Sequence, residues 1–227
     1  MSHNLTLQIH SLGLGLGRAY LVEFPQGMLL IDSGSPRQEG KVLRLMQQLG
    51  RNDLRLIFIT HAHLDHYGSA AALRRITGAP VAIHRADAEA MANAQTPIGQ
   101  ARRFGRLLPR LLPYYEAFFR PEGVSADILL EDGDDLGIPG LEACVLHTPG
   151  HTPGSSSLLL QEGVAFAGDL VLTTGRPHAQ QLYAQDWALI PRSLAQLKAV
   201  HPRWVYPGHG SYPLPDAELQ KLEVHLE

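Results

Sequence analysis

The 227-residue sequence contains a single cysteine, Cys144, so no internal disulfide can form, and a reducing compartment suits the chain. No apolar run approaches the ~20 residues that a membrane-spanning helix needs. The longest, such as Leu56-Ile57-Phe58-Ile59, are strand-sized. Residues 1–17 lack both a basic head and a continuous apolar stretch, the two marks of a secretory signal, and a cytoplasmic location is the expectation. An excess of positive charge is missing too. The formal net charge of −3 offers no general attraction to nucleic acid or to an anionic membrane. What remains is an ordinary globular composition, 44% hydrophobic and 18% charged, able to bury the core of one domain. Histidine is the exception: there are twelve.

The pattern of apolar residues and turn formers predicts short strands at 5–10, 18–24 and 28–31, then a helix over 37–49 closed by Gly50. A buried strand at 54–60, a helix at 69–77, a strand at 81–84 and a helix near 86–94 follow. The Leu-Gly repeat at 12–17 reads as a flexible turn, because a strand follows it where a dinucleotide loop requires a helix. Strands resume at 126–130, 141–147, 156–160 and 164–167. A helix at 187–200, a strand at 204–206 and a helix from Asp216 complete the chain. Cys144, inside a strand, reads as an inert core thiol.

Directly after the 54–60 strand comes Thr60-His61-Ala62-His63-Leu64-Asp65-His66. Alternation along extended chain puts His61 and His63 on one side. A turn through Leu64 brings Asp65 and His66 alongside. Imidazole and carboxylate at this density suit one or two zinc-like ions. Three further segments place a metal-binding side chain in a glycine-containing turn after a strand: His151 in 147–154, Asp169 in Ala167-Gly168-Asp169, and His209 in Tyr206-Pro207-Gly208-His209-Gly210.

The set His61, His63, Asp65, His66, His151, Asp169 and His209 resembles the ligand set of the metallo-β-lactamase superfamily, in its glyoxalase II-like hydrolase branch. Leu30-Ile31-Asp32-Ser33-Gly34 resembles the same family's strand-end aspartate and turn. The resemblance implies an α/β fold, an αββα sandwich with metals at one edge between the two sheets, to which the chain adds a short helical insertion of its own. It implies that His61, His63 and His151 hold one ion, that Asp65, His66 and His209 hold a second, and that Asp169 bridges them. Asp32 would orient the ligand loop from behind. The implied cofactors are two divalent ions, zinc first, with manganese or iron as alternatives. The implied activity is cleavage of an ester, thioester, lactone or phosphoester of a small molecule by a metal-bridging hydroxide, with Asp65 as the catalytic proton carrier. His66 and Asp169 stand where the main class of zinc β-lactamases carries arginine and cysteine, which argues against penicillin hydrolysis. A mononuclear iron persulfide dioxygenase and an RNA-processing nuclease of the same superfamily are the rival readings.

Some residues stay open at this level. His178 and Tyr183 either contact substrate or belong to a surface loop, while His10, His84, His147 and His201 read as structural. Residues 96–122 lie outside the resemblance, with five arginines and a run of apolar residues against Glu116 and Glu122. Pro109 and Pro113 should break the segment into short helices. It reads first as a cap inserted into a single domain spanning 1–227, ahead of a homodimer contact or a membrane patch. As a cap it would set substrate range without affecting metal binding.

Overall fold

The computed structural model describes residues 7–102, 108–119 and 121–224. In chain order the strands are β1 (Gln8–Leu14), β2 (Gly17–Phe24), β3 (Gly27–Ile31), β4 (Leu54–Ile59), β5 (Val81–His84), β6 (Gln100–Ala101), β7 (Ile128–Leu130), β8 (Ala143–His147), β9 (Ser156–Leu160), β10 (Val164–Thr173), β11 (His178–Ala179), β12 (Tyr183–Ala184), β13 (Trp204–Gly210) and β14 (Leu214–Pro215). The helices are α1 (Glu39–Gln48), α2 (Leu64–Tyr67), α3 (Ala70–Thr77), α4 (Ala88–Ala92), α5 (Leu108–Phe119), α6 (Ile190–Ala199) and α7 (Asp216–Leu219).

One sheet runs β1-β2-β3-β4-β5-β7 and the other β14-β13-β10-β9-β8, with β11 added to β10. Period-2 alternation divides each strand between two cores. In β4, Leu56 and Phe58 face the other sheet, while Ile57 and Ile59 face the helices. The inner core joins these to Val145, Leu158 and Phe166 of the second sheet. One outer core packs the first sheet on Val42 and Met46 of α1 and Leu73 of α3. The other packs Ala165, Val171 and Val205 on Ile190, Leu194 and Leu197 of α6. Helix, sheet, sheet and helix layers follow in that order, the expected αββα sandwich.

Several local expectations give way. β1 extends through Leu14 and pairs with β2 down to Leu14↔Gly17, so the Leu-Gly repeat is strand plus tight hairpin tip. The predicted strand began at residues 5 and 6, which lie outside the described residues. β10 and β13 are longer than predicted. Asp169 and His209 therefore lie within strands, where the β10–β13 register shifts on either side of Gly168. Helix α5 continues through Pro113. Pro109 lies in the first turn, where no N–H acceptor is needed, so the cost falls on Pro113, which forgoes a single backbone bond. Cys144 is exposed rather than core. Its neighbours Ala143 and Val145 take the inward positions of edge strand β8. Among the described residues, no helix is long and apolar enough to cross a membrane.

Candidate metal centre

At the exit of β4 the backbone bends through residues 60–62, where His63 N–H donates to the His61 carbonyl, and then closes into the single turn of α2, with His66 N–H and Tyr67 N–H both donating to the His63 carbonyl. That bend, rather than alternation along extended chain, brings His61 and His63 together, and the turn sets His66 beside them. His151 arrives from the β8–β9 loop, Asp169 from β10 and His209 from β13. Both sheets thus feed one point. His61, His63, His66, His151 and Asp169 are buried, and Asp65 and His209 are partly exposed.

The seven side chains fall into overlapping groups whose ligand atoms lie within 4.8 Å of one another: His61, His63 and His151; His61, His66 and Asp169; Asp65, His66 and His209. Two ligand atoms each about 2.0–2.1 Å from a tetrahedral ion lie about 3.3 Å apart. The separations found are close to that. His63 Nδ1 is 3.1 Å from His61 Nε2 and 3.0 Å from His151 Nε2. His209 Nε2 is 3.4 Å from His66 Nε2 and 3.3 Å from Asp65 Oδ2. Asp169 Oδ2 lies 3.3 Å from both His151 Nε2 and His209 Nε2.

The outward ring nitrogens explain why the inward ones carry lone pairs. His63 Nε2 lies 3.1 Å from the Pro97 carbonyl, His209 Nδ1 2.9 Å from that of Leu16, and His151 Nδ1 3.2 Å from that of Tyr183. His66 Nδ1 is 2.8 Å from Asp32 Oδ2. His61 Nδ1 is 3.0 Å from Thr60 Oγ1, whose own proton goes to Asp32. For His63, His66 and His209 the facing carbonyl or carboxylate accepts only, so it fixes the proton on the outward nitrogen and aims the inward lone pair at the cluster, whereas His151 Nδ1 also lies 2.9 Å from the Gln180 amide nitrogen, a donor. Lone pairs facing lone pairs cannot hydrogen-bond, and Asp169 Oδ1 is buried with no hydrogen-bond partner. A cation satisfies them all, so the donor set fits divalent metal.

Without that cation the charges divide. Burial, reinforced by neighbouring imidazoles, pushes His61 well below the usual range and His63 down to about 3. Burial acts the same way on His66 and His209, but the carboxylates outweigh it. Asp169, Asp32 and Asp65 hold His66 well above its usual range, and Asp169 and Asp65 lift His209 to about 10. Burial raises the Asp65 and Asp169 carboxyls, yet His66 and His209 hold both below the ordinary carboxylate range.

Asp32 stands behind the loop, accepting from Thr60 N–H (2.8 Å), the Thr60 hydroxyl and His66. The Tyr183 ring lies 5.5 Å from that of His63 and 4.9 Å from that of His151, at the centre. Burial, with Asp65 and Asp169 adding, keeps its hydroxyl protonated far above neutrality. His178 instead lines a separate cavity with Gln181, Lys221 and Leu222. Its ring bonds to the Ala179 carbonyl and approaches Thr174, and it stands in β11 paired with Leu172 rather than in a loop. His84 and His147 stack on each other, with ring centroids 3.9 Å apart, His10 approaches Glu23 and His201 meets Asp216, so these are structural contacts.

Sequence reasoning missed several parts of the centre. The carbonyls of Leu16 and Pro97 carry no sequence signature, although the glycines of the 12–17 repeat hinted at a close approach. A Cβ at Gly17 would lie 2.4 Å from the Asp65 carbonyl oxygen. One at Gly208 would lie 2.3 Å from Asp169 Oδ1, so only glycine lets β13 pass the centre. Pro97 belongs to the 96–122 segment read as a cap, and its carbonyl lies 3.1 Å from His63 Nε2. The start of the 96–122 segment is built into the site, with β6 paired to β12 at Tyr183↔Ala101. Asp87 was absorbed into a predicted helix.

A family model described as metallo-beta-lactamase superfamily matches residues 12–209. The probable metallo-hydrolase YflN of Bacillus subtilis (strain 168) is 26% identical over 89% of this chain and 83% of its own length. Hydroxyacylglutathione hydrolase GloC of Haemophilus influenzae is 33% identical over 64% of this chain and 62% of its own, so the match spans less than two thirds of that relative. Among solved structures, BLEG-1 B3 metallo-beta-lactamase has a TM-score of 0.73 at 25% identity, covering 93% of this chain and 95% of that one. TTHA1623 in a di-iron-bound form has a TM-score of 0.69 at 27% identity, with 94% and 97% covered.

Proposed function

The chain belongs to the metallo-β-lactamase superfamily of metal-dependent hydrolases, and from that premise we propose that it is a dinuclear hydrolase of the glyoxalase II-like branch, acting on an ester, thioester, lactone or phosphoester bond of a small molecule. The carrying observation is the position of Asp169 Oδ2, 3.3 Å from a histidine of each triad. In this reading His61, His63 and His151 hold one ion, Asp65, His66 and His209 hold the other, and Asp169 lies between. Zinc is the preferred metal, because neutral imidazole and carboxylate in near-tetrahedral spacing suit it. When bound, the two ions supply a nucleophile at neutral pH and stabilise charge developing on substrate oxygen. The protein's own groups do the rest. Asp65 carries the proton to the leaving group, and the protonated Tyr183 hydroxyl donates to the substrate oxygen that gains charge. The GloC relative, a hydroxyacylglutathione hydrolase by name, supports thioesters as the first class to assay. The complete second triad disfavours the mononuclear iron dioxygenase.

The test is a panel of thioesters, esters, lactones, phosphoesters and a β-lactam, assayed on protein loaded separately with zinc, manganese and iron. Two ions per chain with thioester, ester, lactone or phosphoester turnover is expected. One ion per chain with oxygen uptake on a persulfide would overturn the proposal, and turnover confined to the β-lactam would remove the branch assignment. Tyr183→Phe deletes only the hydroxyl. We expect it to lower kcat by roughly 10²–10³-fold at unchanged metal content, the scale of one lost oxyanion donor. Parent-like kcat would take Tyr183 out of the reaction.

A further inference from the structure

Asp87 sits where a helix begins, at the N-terminal boundary of α4, and an aspartate there ordinarily accepts from the first N–H groups of its own helix. This one makes no such bond. Its carboxylate, 2% exposed, turns the other way and accepts three hydrogen bonds. They come from Ala62 N–H at 2.8 Å, the Thr152 hydroxyl at 2.6 Å and Gly154 N–H at 2.7 Å. Ala62 lies between His61 and His63, and Thr152 follows His151. One turn leaves the first sheet and the other joins two strands of the second. A backbone bond from Ser156 N–H to the Thr60 carbonyl joins the two segments one residue before His61. Asp87 adds a tie at the level of the imidazoles themselves. The fit is close: a Cβ at Gly154 would lie 2.6 Å from Asp87 Cγ, so glycine is required there.

Asp32 does the matching work on the other side, gripping Thr60 and His66. The ligand loop is therefore held by two buried carboxylates, at residue 60 by one and at residue 62 by the other. We infer that Asp87 is a positioning residue for the first triad, holding His61 and His63 at the right distance from His151 before metal arrives. The inference rests on the two-ion reading and goes beyond it in separating the two sites. Asparagine at 87 keeps the shape but has one acceptor oxygen, and its amide would face a donor. The two turns then separate while the Asp65–His66–His209 triad, tied through Asp32, stays in place.

The experiment titrates metal-free parent and Asp87→Asn with an NMR-active cadmium isotope. The all-nitrogen triad and the triad containing Asp65 give distinct resonances. The first resonance should need a roughly 10–100-fold higher cadmium concentration in the variant, the usual effect of removing a partner from behind a metal ligand. The second should titrate as in the parent. Thr152→Val removes one of the three bonds and should give a smaller shift at the same resonance, which keeps the test open should Asp87→Asn not fold. Equal weakening of both resonances, or a lower Tm with both affinities unchanged, would make Asp87 a general structural residue and overturn the inference. A parent that binds only one ion sinks the two-ion reading instead.

Discussion

Asp65→Asn, in protein carrying its full metal complement, should turn over substrate roughly 10²–10⁴-fold more slowly than the parent, the range a positioned acid–base group contributes. Asparagine preserves the volume and one acceptor oxygen but cannot accept and release a proton. The site justifies so large an effect, because Asp65 Oδ2 lies 3.3 Å from His209 Nε2 at the partly exposed side of the centre. A proton collected there can reach a leaving group and solvent, whereas Asp169 is enclosed. The check is kcat/KM measured on a sample whose metal content has been determined. Near-parental turnover at two ions per chain would exclude Asp65 from proton transfer. A variant that holds a single ion would show that its main contribution is to metal retention.

Removing the metals should have the largest effect on stability. At a free concentration 1,000 times Kd, each ion contributes about 4.1 kcal/mol, so two contribute about 8 kcal/mol. At about 2–4 °C per kcal/mol for a chain of this size, Tm should fall by roughly 15–30 °C on chelation. The dependence on pH has a definite sign. In the metal-free protein His209 is raised to about 10 and His66 also lies above its unfolded value. Their contribution is fully present below the unfolded value of about 6.5 and is lost as pH rises through the folded values. The metal-loaded form needs these rings neutral, so rising pH favours it. The gap in Tm between loaded and stripped protein should therefore widen from pH 7 to pH 9. Scanning calorimetry of both forms checks this, and a gap that narrows would reverse the assigned protonation.

The four segments that meet at the candidate centre were legible because each carries its chemistry locally. Thr60 to His66 concentrates four donors in one turn, and His151, Asp169 and His209 each stand beside a glycine that shapes the chain. The layered fold was legible from strand alternation and from the resemblance those residues carry. What escaped is non-local. Asp87 looks like a helix start, and only the packing of two sheets reveals that it bonds both ligand turns. The Leu16, Pro97 and Tyr183 carbonyls escaped because every residue has one. β10 and β13 were cut short because the register shift at Gly168 disguises strand as turn. Cys144 was misplaced because alternation on an edge strand leaves one face uncovered.

The bond between His63 and the Pro97 carbonyl has a thermodynamic corollary. Pro97 opens the stretch that pairs with Tyr183 through β6 and leads towards α5, where Leu111, Tyr114 and Phe118 are exposed. Binding equilibria that share a structural element are reciprocal. If a ligand seated against α5 changes the affinity of the first triad by some factor, metal in that triad changes the ligand's affinity by the same factor. Metal occupancy and molecular recognition at α5 then cease to be independent quantities. An apparent Kd for either has meaning only at a stated concentration of the other.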